Sequence, residues 1–253
     1  LIFNFYNNNL QYLVFDIETS PINFDNLSHS QQEYWLRGAS TDEEKDKKKF
    51  EMGLNPYTAQ VVCIGLQLME INEIGESSMI KKAAFSCDNS FQDEEHIEKD
   101  LEDGSKCYIS SEKKLLNDFW KILHKYNTSH LVSFNGRGFD SPFLMLRSAV
   151  NEIRPSRDLM QGTKFNYGRH IDLLDELTYY SGGSTGPTRR LNFDFFAHSF
   201  GIKSPKSEGV DGSMVGDLFA KGEHLIIAEY CLRDVSATWE LFLVWNKYLR
   251  FKN

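Results

Sequence analysis

The sequence lacks several things, and each absence excludes something. Its four cysteines, Cys63, Cys87, Cys107 and Cys231, form no Cys-x-x-Cys pair, and no His stands at zinc-finger spacing from them. That pattern argues against a structural zinc site and fits free thiols in a reducing compartment, so a cytoplasmic location is expected. No apolar run reaches membrane-spanning length. The opening Leu1-Ile2-Phe3 has neither an initiator Met nor the basic flank and small-residue cleavage site of a secretory leader, so the natural start is expected upstream. Positive charge is also short: 28 Lys and Arg stand against 36 Asp and Glu, a net charge of -8. A protein that gripped phosphates with Lys and Arg alone would carry the opposite balance.

What remains is ordinary for a globular protein, with 41% hydrophobic and 25% charged residues and enough length for a sizeable core. No internal repeat is visible. Short apolar runs at 12–17, 61–68, 82–86, 131–134 and 171–174 read as strands. Helical spacing of Leu115, Leu116, Phe119, Ile122 and Leu123 predicts a helix after Ser110-Ser111-Glu112. Further helices are expected from Asp140, over 191–200 and over 222–251. Residues 91–104 read as a loop or short surface helix, and the Gly- and Ser-rich stretch 181–187 as a mobile loop. The polar stretch 25–55, with its charge block Thr41-Asp42-Glu43-Glu44-Lys45-Asp46-Lys47-Lys48-Lys49, reads as a solvated helical insertion in a single domain spanning 1–253. Strands first and helices between them give an α/β architecture.

Acidic residues in three separated segments carry the chemistry. Asp16 and Glu18 are two apart in Val14-Phe15-Asp16-Ile17-Glu18-Thr19, so a strand points both to one face. Asp140 follows Phe134-Asn135-Gly136-Arg137-Gly138-Phe139. Before Ser141-Pro142 it suits an ordinary helix cap, whereas Asn135 and Arg137 beside two glycines suit a phosphate. Tyr230 and Asp234 are one helical turn apart. Lone carboxylates among apolar neighbours are costly, and two shared divalent cations would remove that cost while adding about four positive charges. Cations held this way can cleave phosphodiester bonds. Arg147, Arg154, Arg157, Lys164, Arg169, Arg189, Arg190, Lys203 and Lys206 gather mid-chain, as a strand-binding groove or a scattered solvated face.

In this order, Asp-x-Glu, then Asn with Phe139-Asp140, then Tyr-x-x-x-Asp, the chain resembles the DEDD superfamily of 3′-5′ exonucleases in its tyrosine subgroup. Glu229 occupies the position where the histidine subgroup has His. Phe139-Asp140-Ser141-Pro142-Phe143-Leu144, Ser204-Pro205-Lys206 followed by Asp211-Gly212-Ser213-Met214-Val215, and Tyr230-Cys231-Leu232-Arg233-Asp234-Val235 with Thr238 resemble stand-alone exonucleases related to the proofreading domain of family B DNA polymerases. The resemblance covers residues 12–249; the block at 41–49 has no counterpart in it. It implies a ribonuclease H-like α/β fold with a mixed five-stranded sheet flanked by helices. It also implies two divalent ions, Mg²⁺ or Mn²⁺, on Asp16, Glu18, Asp140 and Asp234, with Tyr230 at the attacking water. Thr19, Asn135 and Phe139 would touch the substrate. The expected activity is 3′-5′ hydrolysis of single-stranded DNA to nucleoside 5′-monophosphates, with a DNA polymerase as a candidate partner. The alternatives are the same chemistry on RNA and a non-catalytic nucleic-acid-binding or polymerase-partner module.

Overall fold

The computed structural model describes residues 9–204 and 209–251. Its strands are β1 Leu10–Pro21, β2 Ala59–Ile71, β3 Ser77–Cys87, β4 His96–Asp100, β5 Lys106–Ser110, β6 His130–Ser133 and β7 His170–Asp172. They form one mixed sheet in the order β4-β5-β3-β2-β1-β6-β7. β1, β2 and β3 make an antiparallel meander, while β6 and β7 add in parallel beyond β1. On the far side β5 runs parallel to β3, with β4 antiparallel at the edge.

The helices are α1 His29–Trp35, α2 Asp42–Glu51, α3 Glu112–Lys125, α4 Asp140–Val150, α5 Leu173–Leu177, α6 Phe193–Ser199, α7 Val215–Ala220 and α8 His224–Tyr248. The seven strands correct the expected five. β4 was hidden because all five of its residues are exposed, so its sequence shows no alternation of apolar and polar positions. β5 merges in the sequence with the start of α3. The charge block falls in α2, whose acidic first turn and lysine-bearing last turn complement the helix dipole. Residues 173 and 174, expected to end a strand, instead begin α5.

Alternation along β1 builds a core on each face. Leu13, Phe15 and Ile17 pack among α3 residues such as Leu115 and Phe119 and the α4 pair Phe143 and Leu144. Tyr12 and Val14 pack among Trp239, Phe242 and Trp245 of α8. Period two then sends Asp16 and Glu18 to the α8 side. β1 stays paired with β6 only to Val14. Beyond Val14 the chain after β6 turns away, opening a crevice at the carboxyl ends of two parallel strands, where open α/β sheets bind ligands.

The antiparallel register slips between Glu18 and Thr19, whose partners are Cys63 and Val61. A bulge of this kind frees a backbone group and re-aims the side chains beside it. The Val61 N–H donates instead to Glu112 Oε1 at 2.8 Å. Glu112, buried in the first turn of α3, also takes Arg147 Nε at 2.7 Å. One carboxylate thus ties β2, α3 and α4 together beside the crevice.

Candidate active site

Each element delivers one part of the site. Asp16 is half-buried on β1 and Glu18 is 8% exposed. Gly65 on β2 stands opposite Asp16 in the register. A Cβ there would meet Cys231 Sγ and Val235 Cγ2, both at 2.9 Å. The missing side chain therefore lets α8 settle onto the sheet. That contact brings Tyr230, Cys231 and Asp234 toward the β1 acids. The Cys231 thiol donates to the Asp16 carbonyl at 3.5 Å and lies 3.8 Å from its Oδ2.

Asp140 arrives from the other side. It is the first residue of α4, not its cap; Phe139 holds the cap position with no side-chain hydrogen bond. Of the two readings of Asp140, the geometry thus removes the helix cap. Its Oδ1 instead accepts the Ile17 N–H at 3.0 Å, a group left over where β6 parts from β1. The carboxyl is 4% exposed.

These groups perturb one another strongly. Burial, then the charges of Asp140, Asp234 and Glu18, push the Asp16 carboxyl well above the usual range. Glu18 moves the same way through burial and Asp234. Burial raises Asp140 to about 7, against the lowering effect of the backbone N–H groups that it accepts. The Tyr230 hydroxyl is hydrogen-bonded to Asp234, and burial with three neighbouring carboxylates drives it far above the ordinary phenol value.

Such a cluster fits hard divalent cations. One ligand atom each from Asp16, Glu18 and Cys231 lies within 4.8 Å of the others. Because burial also pushes the Cys231 thiol up, it stays protonated and donates to Asp16. The atoms left to hold a cation are then the oxygens of Asp16 and Glu18, with those of Asp140 and Asp234 lining the same cleft as Asp16, donors of the kind that hard divalent cations take. Asp16, Asp140, Tyr230 and Asp234 line a cleft of ≈ 360 Å³ together with Asn135, Phe139 and Thr238.

The expected substrate contacts divide. Asn135 and Phe139 lie on the cleft wall, where Phe139 also packs its ring on Phe143 at 5.5 Å. Asn135 has a left-handed φ of 60° and takes Arg190 on its Oδ1 at 3.1 Å. Thr19 lines a neighbouring cavity of ≈ 730 Å³, and its hydroxyl donates to the Gly53 carbonyl at 2.7 Å. Arg137 is not offered to a phosphate. Its guanidinium donates to the carbonyls of Leu159, Met160 and Gln161.

Much of the basic cluster is likewise structural. Arg147 pairs with Glu112, while Arg157 and Arg169 donate to backbone carbonyls and Arg190 pairs with Asp175. Arg154, Lys164 and Arg189 are exposed. Pro205 and Lys206 lie outside the described residues. In the remaining motif, Asp211 accepts the Ser213 N–H and so starts the turn that leads into α7.

Sequence reasoning missed Gly65, Cys231 as a partner of Asp16, and Asp172. The fully buried Asp172 accepts the backbone N–H groups of Asn135, Arg137, Leu174 and Asp175, fixing the loop before Asp140. Burial raises its pKa to about 6. The spacing Cys231 to Asp234 placed that thiol on the functional face of α8, a signal that was present; Gly65 and Asp172 gave none.

With this geometry in hand, the comparisons are informative. Residues 77–252 match a family model described as "Predicted 3'-5' exonuclease related to the exonuclease domain of PolB". Among solved structures, the chain is similar to the family B DNA polymerase of the hyperthermophilic archaeon Pyrobaculum calidifontis, with a TM-score of 0.52 and 17% identity. The match covers 95% of this chain and 24% of the polymerase, so the likeness speaks to fold. No curated protein sequence matches.

Proposed function

The chain belongs to the family of predicted 3′-5′ exonucleases related to the exonuclease domain of PolB, and from that premise we propose that it trims single-stranded DNA from the 3′ end. The observation that carries this reading is the meeting of Asp16, Asp140, Asp234 and Tyr230 in one cleft, with Glu18 beside Asp16. A strand end fits this cleft, which is lined by carboxylates and by the apolar side chains of Phe134, Phe139, Leu174 and Phe193. The apolar groups would hold the terminal sugar and base while Asn135 approaches the adjacent phosphate.

Two divalent ions on Asp16, Glu18, Asp140 and Asp234 would supply Lewis-acid charge for activating water and stabilising the leaving 3′ oxygen. The residues then have separate tasks. Asp140, held by the Ile17 N–H, keeps a fixed orientation across the crevice. Tyr230 keeps its proton at neutral pH, so its hydroxyl orients the attacking water and cannot serve as the base. Cys231 holds Asp16 from behind. Attack in line with the 3′ oxygen releases a nucleoside 5′-monophosphate.

The test uses a 5′-labelled single-stranded DNA oligomer and its RNA counterpart with Mg²⁺ or Mn²⁺. A ladder shortening from the 3′ end is expected. Asp16→Ala and Asp234→Ala should each lower the rate by at least about 10²-fold, in line with loss of a main transition-state stabiliser. Unchanged hydrolysis in both variants would sink the assignment to this cleft. Faster loss of the RNA would move the substrate to RNA.

A further inference from the structure

Beside the cleft the surface carries a group of aromatic side chains that the chemistry above does not use. Asn135, on the cleft wall, is bonded to Arg190; Arg190 pairs with Asp175 at 2.6 Å; and Asp175 accepts the Tyr167 hydroxyl at 2.9 Å. Tyr167 is therefore joined to the cleft by an unbroken polar network. The Arg137 guanidinium lies 3.8 Å from the centre of the Tyr167 ring. Tyr180 sets its ring 5.8 Å from Tyr167 and 6.3 Å from Phe165. Phe165 is 69% exposed, with the Lys164 ammonium 5.6 Å from its ring centre.

The end of α5 adds a second, independent observation. The Tyr180 N–H donates to the Asp175 carbonyl and the Tyr179 N–H to the Glu176 carbonyl, the pairing that closes a helix through a left-handed residue. Glycine is the residue that adopts this conformation without cost. Here two tyrosines adopt it, with φ of 49° at Tyr179 and 59° at Tyr180. Tyr179 is also 71% exposed, so burial does not compensate the strain. A large ring held in water at a position suited to glycine gains nothing for the fold, which leaves a binding role as its use.

We propose that Phe165 and Tyr179, backed by Tyr167, Tyr180 and Arg137, form a stacking track for the unpaired bases upstream of the 3′ end in the cleft. The inference rests on the exonuclease reading and extends it to the substrate beyond the cleaved nucleotide. Flat rings offered edge to face, with cations alongside, match successive bases on a polyanionic backbone. A duplex keeps its bases stacked on one another, so the track selects single strands. It also gives this acidic protein a contact with nucleic acid outside the cleft that rests on the ring faces, since Asp175 and Glu176 are taken up by the Tyr167 and Tyr180 hydroxyls.

Binding is measured without turnover in an Asp16→Ala background, using fluorescent single-stranded DNA of about 4 and about 12 nucleotides. The longer strand should bind at least about thirty-fold more tightly than the shorter, as two stacked bases predict. Phe165→Ala and Tyr179→Gly should each cut that advantage by about five-fold or more, as loss of one stacked base predicts. Tyr179→Gly should at the same time raise Tm, because it relieves the left-handed tyrosine. A higher Tm with the length advantage intact would overturn the proposal, as would equal binding of a duplex of the same length. Failure of the unmutated chain to shorten the short strand with Mg²⁺ or Mn²⁺ would count against the exonuclease reading alone. The length comparison in the Asp16→Ala background would still be read by itself.

Discussion

A carboxylate that must be ionised to hold a cation is, without the cation, a liability to the fold. Asp140 illustrates the sign. Its folded pKa of about 7 lies above the ordinary 3.8, so the folded chain binds more protons than the unfolded one between those values. Its stabilising contribution is complete below about pH 4 and is lost as pH rises toward 7. Burial acts oppositely on His170, lowering it to about 3, so that group costs stability as pH falls from about 6.5. The two are separated by comparing the chain with Asp140→Asn in chelator. The asparagine Oδ1 can still accept the Ile17 N–H, so the variant should melt higher by a few degrees at pH 7, with the gap closing toward pH 4. A gap independent of pH would show that titration of Asp140 is not its source. At this scale the acidic residues that meet at the cleft were legible because carboxylates among apolar residues are rare enough to stand out. Asp172 was not, since an aspartate before a helix has a commonplace explanation, and Cys231 showed itself only through its spacing to Asp234.

Elements decide whether those residues meet. Gly65 is a point of close approach, because the Cys231 and Val235 side chains of α8 rest directly on the β2 backbone there. Gly65→Ala would push Cys231 and Val235 outward. It should cost about 1–3 kcal/mol of stability, as overpacking does. It should also weaken Mn²⁺ binding, measured by calorimetry, beyond what Gly168→Ala does, where an added Cβ meets nothing within 4 Å. Equal effects from both substitutions would mean that the α8 approach is not specifically tuned. Strongly periodic elements such as α3 could be read directly from the sequence. The edge strand β4 could not, since it owes its conformation to pairing with β5 and not to its own pattern. The bulge opposite Glu18 was equally hidden, because nothing in Val61-Val62-Cys63 announces which residue goes unpaired.

At the scale of the molecule, the clustered acids make the fold a detector of divalent ions. Ions that bind only the folded chain should stabilise it by about 2.7 kcal/mol at a hundred-fold excess over Kd. Mg²⁺ or Mn²⁺ should therefore raise Tm, and chelator should reverse the effect. An unchanged melting curve across a millimolar titration would be incompatible with the proposed ligand set. The ordered motifs made the family legible before any geometry was known. They could not show the path by which a strand approaches, because that depends on loops whose composition resembles any surface.

The contact between Asp16 and Cys231 spans 215 positions of the chain. During synthesis, β1 emerges well before α8, and its two acids wait for that helix. A ribosome-bound fragment without α8 holds Asp16, Glu18 and Asp140 but has neither Tyr230 nor Asp234, so the proposed site is incomplete. On the proposed ligand set, a nascent chain should therefore show no nuclease activity until translation has passed α8.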